Sequence, residues 1–185
     1  MTSPSETQYS LEIGSGYHPQ ARFTHHCDIN PRAVRTDACC PADALPWPDA
    51  TFSELCAVDV LEHISYRDSE RTLLEWRRVL APGGRIYIQV PDTEAAIRMW
   101  QTDPNCWDHR SGLEAEHSVV GLAWVLLGGH IDGVNAMDND PWWFNAHASL
   151  WTQDSLAWYL KRASFEIESI ETNTHPNVMC WAVAV

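Results

Sequence analysis

The sequence predicts an α/β fold, a doubly wound and mostly parallel sheet of seven strands in a single domain over residues 1–185. Three observations predict it. Short apolar runs alternate with helix-length amphipathic stretches, the pattern of an α/β domain. The first apolar run, residues 9–13, passes directly into a turn that carries Gly14 and Gly16. Further on, Ile86, Ile88 and Val90 alternate with polar neighbours at the period of a strand.

Taken in order, residues 9–13 form the first strand, 23–28 the second and 33–37 a short third. The stretch CCPADALPWPDATF (39–52) is a connector broken by prolines. Residues 54–58 read as a buried fourth strand. Ser65 opens a helix that runs to Leu80, with Asp68 three residues on as an imperfect capping-box partner. Leu73, Leu74, Trp76, Val79 and Leu80 supply much of its apolar face, and APGG ends it. Residues 85–90 make the fifth strand. From 91 to 148 the pattern is irregular: 94–101 and 117–127 suit helices, whereas GGHIDGVNAMDNDPWWFNAH (128–147) suits no regular element. A stretch this long inside a compact domain is usually functional or disordered. Trp142, Trp143 and Phe144 argue against disorder. Residues 91–148 therefore read as a lid or substrate-specificity insertion before the last helix. That helix covers 152–163, and 165–170 and 178–185 complete the sheet.

The chain has 185 residues, 45% of them apolar, and ten Trp supply heavy core or pocket material. Formal net charge is −13, with eleven Arg and one Lys. Such a surface repels a polyanion, so nucleic acid is a poor partner, and a neutral or cationic small molecule fits better. No apolar run approaches the roughly 20 residues that span a bilayer, and MTSPSETQ carries no secretory signal. A cytoplasmic protein with no membrane partner is expected. The Trp content would suit a homodimer interface as well as a pocket. His25, His26, Cys27, Cys39 and Cys40 are zinc-ligand types, but no C-x-x-C spacing organises them. They read as buried thiols beside solvent-facing histidines, and no metal is expected.

The glycine turn narrows the ligand. A dinucleotide places its pyrophosphate at a helix N-terminus. Only about seven residues follow Gly16 before the second strand, and Pro19 restricts them, so no full helix fits. This argues against a nicotinamide cofactor. S-adenosylmethionine, an adenosine joined to a cationic sulfonium and a zwitterionic amino acid, has no phosphate to satisfy. Glu12, Gly14 and Gly16 supply an acid and a close backbone approach, and Asp28 a carboxylate for the ribose hydroxyls.

Four blocks, LEIGSG, CDINP, ALPWPDATFSELCAVDVLEHI and EWRRVLAPGGRIYIQVPD, together resemble class I S-adenosylmethionine-dependent methyltransferases, especially short forms with a reduced first helix. The resemblance covers residues 9–92 well and the last strands weakly. It implies a Rossmann-like fold, methyl transfer to a small-molecule acceptor and S-adenosylmethionine as cofactor. By position, Glu12, Gly14, Ser15 and Gly16 match the first motif, and His18 stands where a third glycine is common. Asp28 and Ile29 match the ribose-binding segment. The adenine-contacting acid falls on Asp43, with Ala44 and Leu45 beside it, or on Asp37. Val58, Asp59 and Leu61 match the segment beside the transferred methyl group.

For catalysis, His63 and Asp59 are candidates for a general base that takes a proton from the acceptor. The plainer readings are a helix-capping histidine and a loop carboxylate. His147 resembles a histidine that short relatives carry before the last helix, facing the cleft. His130 sits in the lid between glycines. Both compete with a reading as solvated or capping histidines. Glu114, Glu116, Asp138 and Asp140 read as solvated faces. An S-adenosylmethionine-binding protein that catalyses a non-methylation reaction, or none, is the alternative function.

Overall fold

The computed structural model describes residues 9–103, 106, 122, 126–128 and 146–185. Seven strands, β1 (Ser10–Ile13), β2 (His25–Asp28), β3 (Ala38–Cys39), β4 (Phe52–Val58), β5 (Leu80–Pro91), β6 (Phe165–Thr172) and β7 (Asn177–Ala184), form one sheet in the order β3-β2-β1-β4-β5-β7-β6. Adjacent strands from β3 through β5 pair in parallel, while β7 runs antiparallel to both β5 and β6. The described helices are α1 (Ser69–Val79), α2 (Thr93–Thr102) and α3 (Gln153–Arg162), with a 3-10 turn at Leu61–His63. The seven-stranded, mostly parallel α/β expectation holds.

Burial explains the layering. Leu11, Glu12 and Ile13 of β1, and Leu55, Cys56 and Ala57 of β4, are consecutively buried, as central parallel strands are. In β7 only Val178, Cys180, Ala182 and Ala184 are buried, every second residue, so one face of that strand meets the core. Leu73, Trp76 and Val79 of α1 join Leu156 and Leu160 of α3 in the same cluster. Each such side chain contributes about 1.5–3 kcal/mol through burial.

No helix forms between β1 and β2, in keeping with the shortened first connection. Three boundaries differ from the sequence reading by more than two residues. The third strand is not at 33–37. There the chain turns: Ala33 N–H donates to Asn30 O (3.0 Å), Val34 N–H to Gly16 O (3.0 Å), and Arg35 has φ 56°. Pairing begins only where Asp37 N–H reaches His26 O (2.8 Å). The helix expected from Ser65 starts at Ser69, because 65–68 close into a turn with Asp68 N–H on Ser65 O (2.8 Å). Asp68 makes no side-chain cap; its carboxylate meets Arg71 Nη2 at 3.3 Å instead. APGG does not merely end the helix. It lies inside β5, where Leu80 pairs with Phe52 and the register shifts before Arg85, with Gly83 at φ 75°. Within the expected lid, α2 is described and is capped by the Asp92 carboxylate, which accepts from Ala95 N–H. The expected helix at 117–127 lies largely outside the described residues, and the loop with Trp142, Trp143 and Phe144 lies outside them.

Candidate active site

Strand order reverses between β1 and β4, since β2 and β3 build outward from one side and β5 from the other. In such sheets the ligand crevice opens at the carboxyl ends of the strands at that reversal. Ile13 is in register with Cys27 on one side and Ala57 on the other. The residues that follow, 14–16, 28–30 and 59–63, therefore gather at one sheet edge.

Two interlocked contacts shape the glycine turn. Gly14 N–H and Ser15 N–H both donate to Cys27 O (2.8 and 3.1 Å), and Ser15 is buried. Gly16 N–H donates to one Asp28 oxygen (2.8 Å) and Asn30 N–H to the other (2.7 Å). Gly14 has φ 74°, and a Cβ there would fall 2.3 Å from Val60 Cγ2. Gly16 has φ 54° with nothing within 4 Å of a Cβ, so the turn leaves open space on its own side of the crevice. Ile29 next to Asp28 is an exposed apolar side chain. Glu12 is buried and anchors the loop: its oxygens accept from Gln20 N–H and Gln20 Nε2–H (both 2.8 Å), and His26 Nε2 lies 3.5 Å away.

The two adenine candidates part company. Asp37 accepts from His26 N–H (2.8 Å) and is thereby held on the β2 backbone. Asp43 is ion-paired with Arg71 of α1, Ala44 N–H turns back to Pro41 O, and Leu45 N–H donates to Glu75 (2.8 Å). Residues 43–45 are thus carried by α1 and not by the sheet.

The end of β4 forms the other half. Asp59 takes a left-handed φ of 54° that an aspartate tolerates, and Gln89 Nε2 donates to its Oδ1 (3.3 Å). Its residue surface is open to solvent, yet the protein packed around the carboxyl lifts its pKa above the ordinary carboxylate range, against the pull of Gln89 and His63. The 3-10 turn that follows is mostly buried. Glu62 is 2% exposed, Leu61 is fully buried, and His63 is half-buried. Burial and the nearby Asp59 charge push the Glu62 carboxyl up to about 8. A strap at 146–149 lies across this turn: Ala148 and Ser149 N–H both donate to Glu62 O (2.7 and 3.0 Å), and Ser149 Oγ–H donates to Leu61 O (3.1 Å). The strap brings the His147 ring against the His63 ring, edge to face at 5.1 Å, and places Ala146 O 3.2 Å from His63 Nδ1.

Of the candidate residues, His63 and His147 are brought into contact beside the turn that follows Asp59, and Gly14, Ser15, Gly16 and Asp28 cluster at the ends of β1 and β2. His130 lies outside the described residues. Glu62, Val60 and Gln20 were missed. Glu62 stands directly before His63, which is the signal that could have found it. Val60 and Gln20 act only through contacts that no local pattern announces. All six cysteines are free thiols. Burial raises Cys56 to about 11 and Cys180 to about 12, so both are inert at neutral pH.

A family model described as a methyltransferase domain matches residues 5–170. The chain belongs to the methyltransferase domain family. This methyltransferase also shares its fold with solved structures of low sequence identity. An S-adenosylmethionine-dependent methyltransferase from Thermotoga maritima is 15% identical, over 96% of this chain and 82% of that one, at a TM-score of 0.63. The 1,6-didemethyltoxoflavin-N1-methyltransferase of Burkholderia thailandensis, solved with 1,6-didemethyltoxoflavin and S-adenosylhomocysteine, is 16% identical over 95% and 70%, at 0.57. The [4+2]-cyclase SpnF is 15% identical over 95% and 75%, at 0.55. No curated protein matches the chain by sequence.

The methyltransferase uses S-adenosylmethionine, and the residues present fit it. A positive-φ glycine turn with open space at Gly16 lies beside a carboxylate at the end of β2. Each carboxylate oxygen can accept a second hydrogen bond beyond those from Gly16 and Asn30, which is what ribose hydroxyls require.

Proposed function

We propose that this methyltransferase transfers the methyl group to a small-molecule acceptor held between the glycine turn and the corner built by Asp59, His63 and His147. One observation supports the reading: the glycine turn, Asp28 and the Asp59–His63 segment follow the carboxyl ends of β1, β2 and β4, where the strand order reverses, and the strap carries His147 to His63. Bound there, S-adenosylmethionine supplies an electrophilic methyl group on a sulfonium. The chain's own residues do the rest. Asp28 holds the ribose, Gly14, Ser15 and Gly16 line the approach to the amino-acid end, and Glu12 keeps that loop in place. Ile29 and residues 43–45 flank the adenosine, with Val58 closing the floor. Asp59 orients the acceptor and takes its proton. Fixing the acceptor in line supplies several kcal/mol, and a base there adds roughly 10²- to 10⁴-fold. The net charge of −13 favours a neutral or cationic acceptor over an anionic one.

A second reading has a specific support, since a [4+2]-cyclase shares the fold: the cofactor is bound but its methyl group is not consumed. Turnover separates the two. With acceptor present, methyl transfer releases S-adenosylhomocysteine, and the alternative releases none. The first test is a thermal-shift titration with S-adenosylmethionine, S-adenosylhomocysteine and NAD. A ligand at 100 times its dissociation constant stabilises by about 2.7 kcal/mol, roughly 5–10 °C for a domain of this size. The expected result is a shift with the first two ligands only, lost in Asp28→Ala. An unchanged shift in that variant removes the ribose assignment.

A further inference from the structure

Glu62, His63 and His147 each place one ligand-capable atom within 4.8 Å of the other two, the one such group among the described residues. We propose that these three side chains bind a divalent transition-metal ion. Glu62 is 2% exposed and its Oε2 has no hydrogen-bond partner among the described residues. A buried carboxylate oxygen left in that state is costly, and a cation between Glu62 and two imidazoles is the partner that satisfies it. His63 Nδ1 lies 3.2 Å from Ala146 O, and in the tautomer that donates there Nε2 is the atom with ligand capacity. A backbone carbonyl on the remote ring nitrogen is the usual support of a metal-bound histidine.

The frame is built before any ion arrives. Glu62 O accepts from Ala148 and Ser149 N–H, so the backbone that carries His147 is fastened to the residue beside His63. Two imidazole nitrogens and one carboxylate oxygen suit zinc or ferrous iron and do not suit magnesium or calcium, which take oxygen shells. Tetrahedral ligands on bonds of about 2.1 Å stand about 3.4 Å apart, so the side chains close by up to about 1.4 Å on binding. Both imidazoles are half-buried. Three protein ligands leave a position open, the mark of a site that meets substrate. Asp59 immediately precedes the segment that carries Glu62 and His63. An acceptor hydroxyl on the open position would give its proton to Asp59 more readily, because a bound divalent ion lowers the pKa of a ligating oxygen. That consequence rests on the methyl-transfer reading, whereas ion binding does not.

The test is a cobalt(II) titration of the chelator-stripped protein without cofactor, read by visible d–d absorption and reversed with zinc(II). We expect saturation at one equivalent per chain. Glu62→Gln and His147→Ala each weaken binding by at least about tenfold, the least that second-shell changes cost metal sites, and Cys40→Ser leaves it unchanged. Absence of d–d bands overturns the site. So do bands that survive His147→Ala, or that Cys40→Ser abolishes, since thiols then hold the ion. Should Glu62→Gln fail to fold, His147→Ala decides alone. Thermal shifts with S-adenosylhomocysteine on the same samples keep the two claims apart. A shift without cobalt binding removes the metal site only, and cobalt binding without a shift removes only the cofactor reading.

Discussion

Gly14 carries two independent constraints, a φ of 74° and a neighbour, Val60 Cγ2, that stands 2.3 Å from where a Cβ would be. Gly14→Ala should therefore destabilise by more than the roughly 1–2 kcal/mol of left-handed strain alone. It should also weaken S-adenosylhomocysteine binding. Adding Val60→Ala removes the clash but leaves the strain, so the double variant should regain part of the loss. Urea midpoints of the three proteins check this, and a neutral Gly14→Ala would refute the close approach. Asp28 was legible in the sequence because it ends the second strand, directly after the short connection that carries the glycine turn. Glu62 was legible only as the neighbour of His63, because what gives it meaning is a strap from residues 146–149, and the contact from His63 to Ala146 alone spans 83 residues.

At the level of elements, α1 does unexpected work by ordering the proline-broken connector. Leu45 N–H donates to Glu75, Trp76 Nε1–H to Ala42 O (2.9 Å), and Arg78 donates to Trp47 O (2.8 Å) and Leu45 O (3.1 Å). Arg78 holds the Glu75 carboxyl below the ordinary carboxylate range. A carboxyl lowered in the native state stabilises above its unfolded pKa, and that stability is lost as pH falls. Glu75→Gln should then cost about 1–3 kcal/mol near neutral pH, with the gap to wild type narrowing below about pH 4.5. Urea unfolding at neutral and acid pH tests the sign, and a gap that widens in acid would contradict it. In α3, Thr152 and Ser155 form a reciprocal capping box. Thr152→Ala should cost about 1 kcal/mol, seen as a lower Tm. The strand cores at 54–58 and 85–90 were foreseeable from the run of Leu55, Cys56 and Ala57 and the alternation of Ile86, Ile88 and Val90, whereas the extension of β5 back through APGG to Leu80 was not. The pair Ala38–Cys39 was not, because two residues hold no period.

For the whole molecule, charge sets the expectations. With −13 at neutral pH, neither duplex nor single-stranded nucleic acid should retain the protein at about 0.15 M salt. A filter-binding assay checks this, and retention that falls steeply with salt would reveal a local Arg patch. Among the described residues no helix is long and apolar enough to cross a membrane. By itself the sequence determined the α/β class, the glycine turn without a following helix, the carboxylate at the end of the second strand and so the class of cofactor. Each of these is written in residues close together in the chain, in apolar period, turn chemistry and strand ends. Only the tertiary structure decided that Asp59, Glu62, His63 and His147 share one corner. That corner exists because the strap before α3 hydrogen-bonds across the turn after β4, a pairing between distant segments that no local pattern specifies.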